Sequence, residues 1–142
     1  MNLISALNMI NHGIRVSKKM KLPPLAMVIL DHRSKVKAAI CDDGVGTLRY
    51  DIALGKASAA LGLGFGTREF HTLVKNGVLP EMFANCINGA AQGHFIPLPG
   101  GVLIMNAQQE LVGAIGISGA NSDQDETVAL HMIESENLRA VL

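Results

Sequence analysis

Formal charge is scarce in this sequence, and its scarcity excludes several kinds of partner. Charged residues make up 17% of the 142 residues, and the 12 basic side chains are balanced by 12 acidic ones. A protein that binds nucleic acid or acidic lipid without regard to sequence needs a surplus of positive charge. We therefore expect neither nucleic acid nor a membrane among its partners.

Cysteines are rare as well, and targeting segments are missing. Cys41 and Cys86 form no CxxC pair and no metal-finger spacing. No apolar run approaches the roughly 20 residues that span a bilayer, and residues 1–20 contain no uninterrupted apolar region of the kind found in secretory signals. These absences predict reduced thiols and a cytoplasmic location.

The short motifs of common catalytic sites are also absent. The sequence contains no GxSxG, no GxxxxGK[ST] and no HExxH. Gly113, Gly116 and Gly119 are spaced three apart, but they fall within or at the end of a predicted strand, so they indicate close backbone packing and not a dinucleotide-binding turn. We expect a binding protein more than an enzyme.

Hydrophobic residues, in contrast, are plentiful. They make up 49% of the chain, and the mean hydropathy is +0.30. A chain of this length fits one domain, residues 1–142. We expect some apolar surface to remain outside its core and to be covered by another copy of the chain.

The hydrophobic pattern predicts the order helix, hairpin, helices, hairpin, helix. The first helix carries a stripe of four apolar residues: Leu3, Leu7, Ile10 and Ile14. We place strands at 25–30, 36–40, 101–105 and 111–117, and helices at 3–20, 48–61, 67–75, 79–87 and from Ser122 onward, the last with an Asp123–Glu126 capping box. The predicted class is α+β, an antiparallel sheet flanked by helices in a profilin-like sandwich.

The predicted helix at 48–61 offers a candidate anion site. Arg49 and Lys56 fall within about 20° of each other on the helix, about 10.5 Å apart along its axis. Ala53 and Ala60 share their line and would form a groove floor between two cations, suited to haem propionates or an organic diacid. Alternatively, Arg49 pairs with a nearby aspartate and Lys56 is simply solvated.

Two further features are candidates for ligand contact. His12 lies on the side of its helix opposite the apolar stripe, beside Met9 and Val16, where it could be an axial haem ligand or a surface histidine near an oligomer contact. Gly100 and Gly101 open a predicted strand and would form either a backbone anion nest or a rigid turn.

Several segments resemble one family, the GlcG/HbpS-like haem-binding proteins. The segments are Leu25–Asp31 with Asp43-Gly44, Ile52-Ala53 with Lys56-Ala57, Gly100-Gly101-Val102, and Gly113–Gly119 with Asp125-Glu126. The resemblance covers residues 3–138. Cys41, where the family often has arginine, and Leu103, where it has proline, depart from the pattern.

The resemblance implies a profilin-like fold, dimers that assemble further, and haem binding in some members through a histidine of the first helix. The family includes the C-terminal domain of PduO-type corrinoid adenosyltransferases and small proteins encoded with diol- and glycerol-dehydratase genes. We therefore predict an oligomeric binding protein for haem or another carboxylate-bearing molecule, accessory to a cobalamin-dependent dehydratase pathway. Its contacts would be Arg49, Lys56, Gly100 and Gly101, with His12 on the iron. The alternatives are a haem-degrading or redox enzyme and a purely structural assembly subunit.

Overall fold

The computed structural model describes residues 1–142. The helices, numbered in chain order, are α1 (Leu3–Lys19), α2 (Arg49–Leu63), α3 (Thr67–Lys75), α4 (Glu81–Ala90) and α5 (Ser122–Glu134). The strands are β1 (Ala26–Asp31), β2 (Val36–Cys41), β3 (Gly101–Met105), β4 (Leu111–Ser118) and β5 (Arg139–Val141). None of the helices has both the length and the apolar character needed to cross a bilayer.

The five strands form one antiparallel sheet in the order β2-β1-β4-β3-β5. Alternate residues of each strand point to opposite faces, so Met27 and Ile29 of β1 join the core beneath α1 and α5, whereas Val28 and Leu30 join a second core beneath α2. The sheet is therefore covered on both faces. The predicted α+β sandwich, an antiparallel sheet flanked by helices, is confirmed.

Helix α1 packs on the sheet through a face that keeps Ile10 of the predicted stripe and adds Met9, which was expected on the outer side beside His12. The Asn2 side chain caps the helix by accepting the N–H of Ser5 at 2.8 Å. The buried residues are Ala6, Met9, Ile10, Gly13 and Ser17. Leu3 and Leu7 of the predicted stripe are 50% and 43% exposed. Ala6, Gly13 and Ser17 are small, so this face lets α1 approach its neighbours closely. A pattern of large apolar residues does not identify such a face.

Helix α2 lies unusually close to the sheet because two strand positions beneath it are glycines. A Cβ on Gly116 would lie 1.9 Å from the carbonyl oxygen of Ala53. A Cβ on Gly101 would lie 2.3 Å from the carbonyl oxygen of Lys56. Any side chain at these positions would overlap the helix backbone. This bears out the expected packing role of Gly116.

Helices α3 and α4 form a smaller unit at the end of the sheet. Its apolar contacts centre on three buried residues: Phe70 of α3, Phe95 after α4 and Ala59 of α2. Arg68 of α3 forms ion pairs with Glu126 and Asp123 of α5. Helix α4 has no buried residue, whereas α3 buries Thr67 and Phe70, so α3 is the helix of this unit that packs more closely on the rest of the domain.

Candidate functional site

Lys56 lies in the protein interior and already has a counter-ion. The residue is 2% exposed, and its Nζ donates to Oδ2 of Asp125 at 3.0 Å and to the carbonyl oxygen of Ile117 at 2.9 Å. The N–H of Ala120 donates to Oδ1 of the same carboxylate at 3.0 Å. Burial raises the pKa of the Asp125 carboxyl, and the ammonium group of Lys56 acts in the opposite direction.

The open recess predicted between Arg49 and Lys56 is not formed. Ala53 and Ala60, the residues expected to line its floor, are fully buried against the sheet, as is Ala57. Glycines in the strands below allow this close contact, so the space expected for a ligand is filled by the backbone of the sheet. Because Lys56 is buried and paired with Asp125, its ammonium group is not exposed to a ligand.

Arg49 remains half-exposed at the start of α2. Its Nη1 donates to Oγ of Ser118 at 3.4 Å, and it borders a shallow recess of about 360 Å³ formed by residues 46–49 and Ile52. The alternative in which Arg49 pairs with Asp42, Asp43 or Asp51 is not seen, because no ion pair joins these residues.

Gly100 and Gly101 are buried and serve the packing of α2 and α3. The N–H of Gly101 donates to Oγ1 of Thr67 at 2.9 Å, and the Thr67 hydroxyl donates back to the carbonyl oxygen of Gly101 at 3.2 Å. Gly100 has a φ of 121°, and a Cβ there would lie 3.0 Å from Nζ of Lys56. The predicted anion nest is therefore closed on the Gly101 side.

His12, in contrast, borders a groove that is open to solvent. The groove has a volume of about 530 Å³ and lies along the outer side of α1 where it meets α5. We call it the α1–α5 groove; it is lined by His12, Arg15, Val16, Lys19, Met20 and His131. Two histidines, two cations and two apolar side chains thus meet without any carboxylate among the lining residues.

Four groove residues were not singled out from the sequence: Arg15, Lys19, Met20 and His131. His131 is the one that comes from a different helix, α5. It reaches the groove because α1 and α5 pack closely at Gly13, where a Cβ would lie 2.6 Å from Sδ of Met132. No sequence spacing links residues 12 and 131, since their proximity depends on how the two helices pack.

The structure divides the predicted contacts between two faces of the sheet. His12 belongs to α1, which covers one face, whereas Arg49 and Lys56 belong to α2, which covers the other. One ligand bound to a single copy of the chain cannot touch both sets. Arg15 and Lys19 are the cations that share the groove with His12.

Neither departure from the family pattern lies in the α1–α5 groove. Cys41 is an exposed free thiol at the end of edge strand β2. Leu103 is 3% exposed and belongs to the core beneath α2. The two substitutions therefore leave the surroundings of His12 unchanged.

Solved structures share this fold at low sequence identity. A structure described as a PduOC–haem complex matches with a TM-score of 0.86 and 18% identity, covering 100% of this chain and 99% of that one. The ORFY protein of Klebsiella pneumoniae matches with a TM-score of 0.84 and 21% identity, covering 96% and 90%. A double mutant of HbpS from Streptomyces reticuli matches with a TM-score of 0.77 and 21% identity, covering 95% and 86%.

Sequence comparison gives a more specific result. No curated protein matches the chain significantly. A family model described as haem-degrading protein, HbpS-like, matches residues 1–134. Because this match covers almost the whole chain, the protein belongs to the HbpS-like family.

Proposed function

We propose that this protein binds haem, or another flat molecule with carboxylates, in the α1–α5 groove. The observation that carries the proposal is the presence of His12, Arg15 and Lys19 around one open groove. One acid, Glu136, lines an adjoining recess that shares His12 and Arg15, but it forms no ion pair with them. Membership of the HbpS-like family supports haem as the ligand.

The chemistry of the groove suits haem. Imidazole nitrogen is a common axial ligand of haem iron, and His12 is half-exposed and unpaired in the chain's hydrogen bonds and ion pairs. Arg15 and Lys19 would hold the propionates by charge-assisted hydrogen bonds. Val16 and Met20 supply apolar surface for the macrocycle. When bound, haem would supply an iron centre capable of redox chemistry; the chain's own residues bind and orient it.

A haemin titration followed by the Soret band tests the proposal. Wild-type protein is expected to shift the band. The shift should saturate near one haem per chain if one His12 binds the iron, or near one haem per two chains if two copies share it. The His12→Ala variant is expected to lose the shift or weaken binding at least tenfold, because it removes the axial ligand. His32→Ala is the matched control, since His32 is an exposed histidine of the β1–β2 turn, and it should titrate like the wild type. Equal titrations of wild type and His12→Ala would contradict the proposal.

The family's description as haem-degrading favours a second candidate function. In that case the bound haem would be consumed when reductant and oxygen are added, and the Soret band would disappear. A binding protein keeps the band under the same conditions, apart from the change expected on reduction. A purely structural subunit would show no haem-dependent band shift at all.

Self-association and the pathway are proposals of the same kind. Large apolar side chains stand exposed on α1 and around α4, among them Ile4 at 68% and Met82 at 73%, and a second copy of the chain could cover them. Light scattering on the haem-free and haem-loaded protein measures this directly. The proposed role beside a cobalamin-dependent dehydratase rests on the family resemblance alone. Arg49 is proposed as a contact for a carboxylate only in the shallow recess that it borders.

A further inference from the structure

A second recess lies on the opposite face of the sheet from the α1–α5 groove. Three segments distant in sequence meet there: the β1–β2 turn at Ser34–Val36, the outer side of α2 at Leu54 and Ser58, and the chain after α4 at Ala91 and His94. The volume is about 480 Å³. We call it the hairpin recess.

Contacts within the chain fix the segments on both sides of the recess. On one side, the N–H of Ile96 donates to the carbonyl oxygen of Gly55 at 3.2 Å, and a Cβ on Gly55 would lie 2.5 Å from Cγ1 of Ile96. This contact seats the segment after α4 directly on α2. On the other side, Asp31 accepts the N–H groups of Arg33 and Lys35 at 2.8 and 3.1 Å, which fixes the turn.

The lining of the hairpin recess combines positive and apolar groups. Lys35 and His94 are exposed, and their side chains make no hydrogen bond or ion pair within the chain. Ser58 also lines the recess and its hydroxyl makes no hydrogen bond within the chain, while Val36 and Leu54 supply the apolar wall. No carboxylate lines the recess. Asp31, the acid at the end of β1, already forms an ion pair with Arg33, whose Nη2 lies 3.1 Å from its Oδ2.

We propose that the hairpin recess binds a small organic carboxylate with an apolar body, independently of haem. The ammonium group of Lys35 would pair with the carboxylate, Ser58 and His94 would donate hydrogen bonds to it, and Val36 with Leu54 would contact its apolar part. One acid, Asp51, lies on the same side of α2 one turn before Leu54 but outside the lining, so the recess itself keeps its positive character.

Benzoate is a suitable probe, and amide chemical shifts locate where it binds. In the ¹⁵N-labelled haem-free protein, benzoate is expected to produce saturable shifts at residues 34–36, 54–58 and 91–94, with a dissociation constant of roughly millimolar order. Lys35→Gln should weaken binding by about tenfold, because it removes a charge-assisted hydrogen bond. The matched control is Lys37→Gln on the same hairpin, which should stay within about twofold of the wild type.

Two further arms complete the test. Benzyl alcohol has the same apolar body without the carboxylate and should shift these amides weakly, without saturation. His12→Ala should leave the benzoate shifts unchanged, because His12 lies on the opposite face of the sheet. Shifts that are centred on the α1–α5 groove, that are equal for benzyl alcohol, or that survive Lys35→Gln at full affinity would overturn the proposal.

Discussion

Gly116 and Gly62 show how far the role of a glycine depends on the atoms beside it. A Cβ on Gly116 would lie 1.9 Å from the carbonyl oxygen of Ala53, whereas Gly62 of α2 has nothing within 4 Å. Gly116→Ala should therefore lower the free energy of unfolding by about 3 kcal/mol or more through overpacking. Gly62→Ala should raise it by about 0.5–1 kcal/mol, because alanine is the better helix former. Urea denaturation measures both, and a Gly116→Ala variant as stable as the wild type would refute the close packing of α2.

Individual residues also mark what the sequence could and could not reveal about the site. His12 could be singled out because it lies opposite the apolar stripe of its own helix. Helical spacing predicts an open groove beside Lys56, because it shows which residues share a side of the helix but not what fills the space in front of them. Asp125, its buried partner, is 69 positions away, so no local pattern links the two.

Secondary-structure elements were largely predictable, since most are bounded by turn residues and have clear hydrophobic patterns. The four longer strands and all five helices lie within a few residues of their predicted bounds. Strand β5 has three residues, pairs only with β3 and lacks a pattern of its own. The predicted Asp123–Glu126 capping box of α5 is wrong: the box joins Asn121 and Gln124, whereas Asp123 and Glu126 form ion pairs with Arg68.

At the scale of elements, the Lys56–Asp125 pair joins α2 to α5. Lys56→Met should lower the free energy of unfolding by about 3–5 kcal/mol at neutral pH, because a buried carboxylate then lacks its counter-ion. Burial raises the pKa of Asp125 above its unfolded value of 3.8. Without Lys56, which lowers the pKa of Asp125, burial raises that pKa further. The loss should therefore be full above the pKa of the variant and shrink as the pH falls below it, because the buried carboxyl becomes protonated in both proteins.

Urea denaturation between pH 7 and pH 4 measures this dependence. Lys37→Met is the matched control, since Lys37 forms no ion pair and its removal should cost little at any pH. A Lys56→Met loss that stays constant across this range would show that Asp125 is not left charged in the interior.

At the scale of the whole molecule, the sheet separates two surfaces with different chemistry. One carries His12, His131, Arg15 and Lys19 in the α1–α5 groove, and the other carries Arg49 with the hairpin recess. The fold class was accessible from the sequence because alternation and turn residues determine it. Which functional side chains share a surface was not, because that depends on the packing of α1 against α5 and of α2 against the sheet.

The central claim is that haem binds on the α1 face and not on the α2 face, and charge reversal tests it most directly. Haemin affinity should fall at least tenfold in Arg15→Glu, because the new carboxylate would repel the propionates beside His12. It should stay within about twofold of the wild type in Arg49→Glu, whose site lies across the sheet. The opposite result, a loss in Arg49→Glu with Arg15→Glu unaffected, would contradict the account.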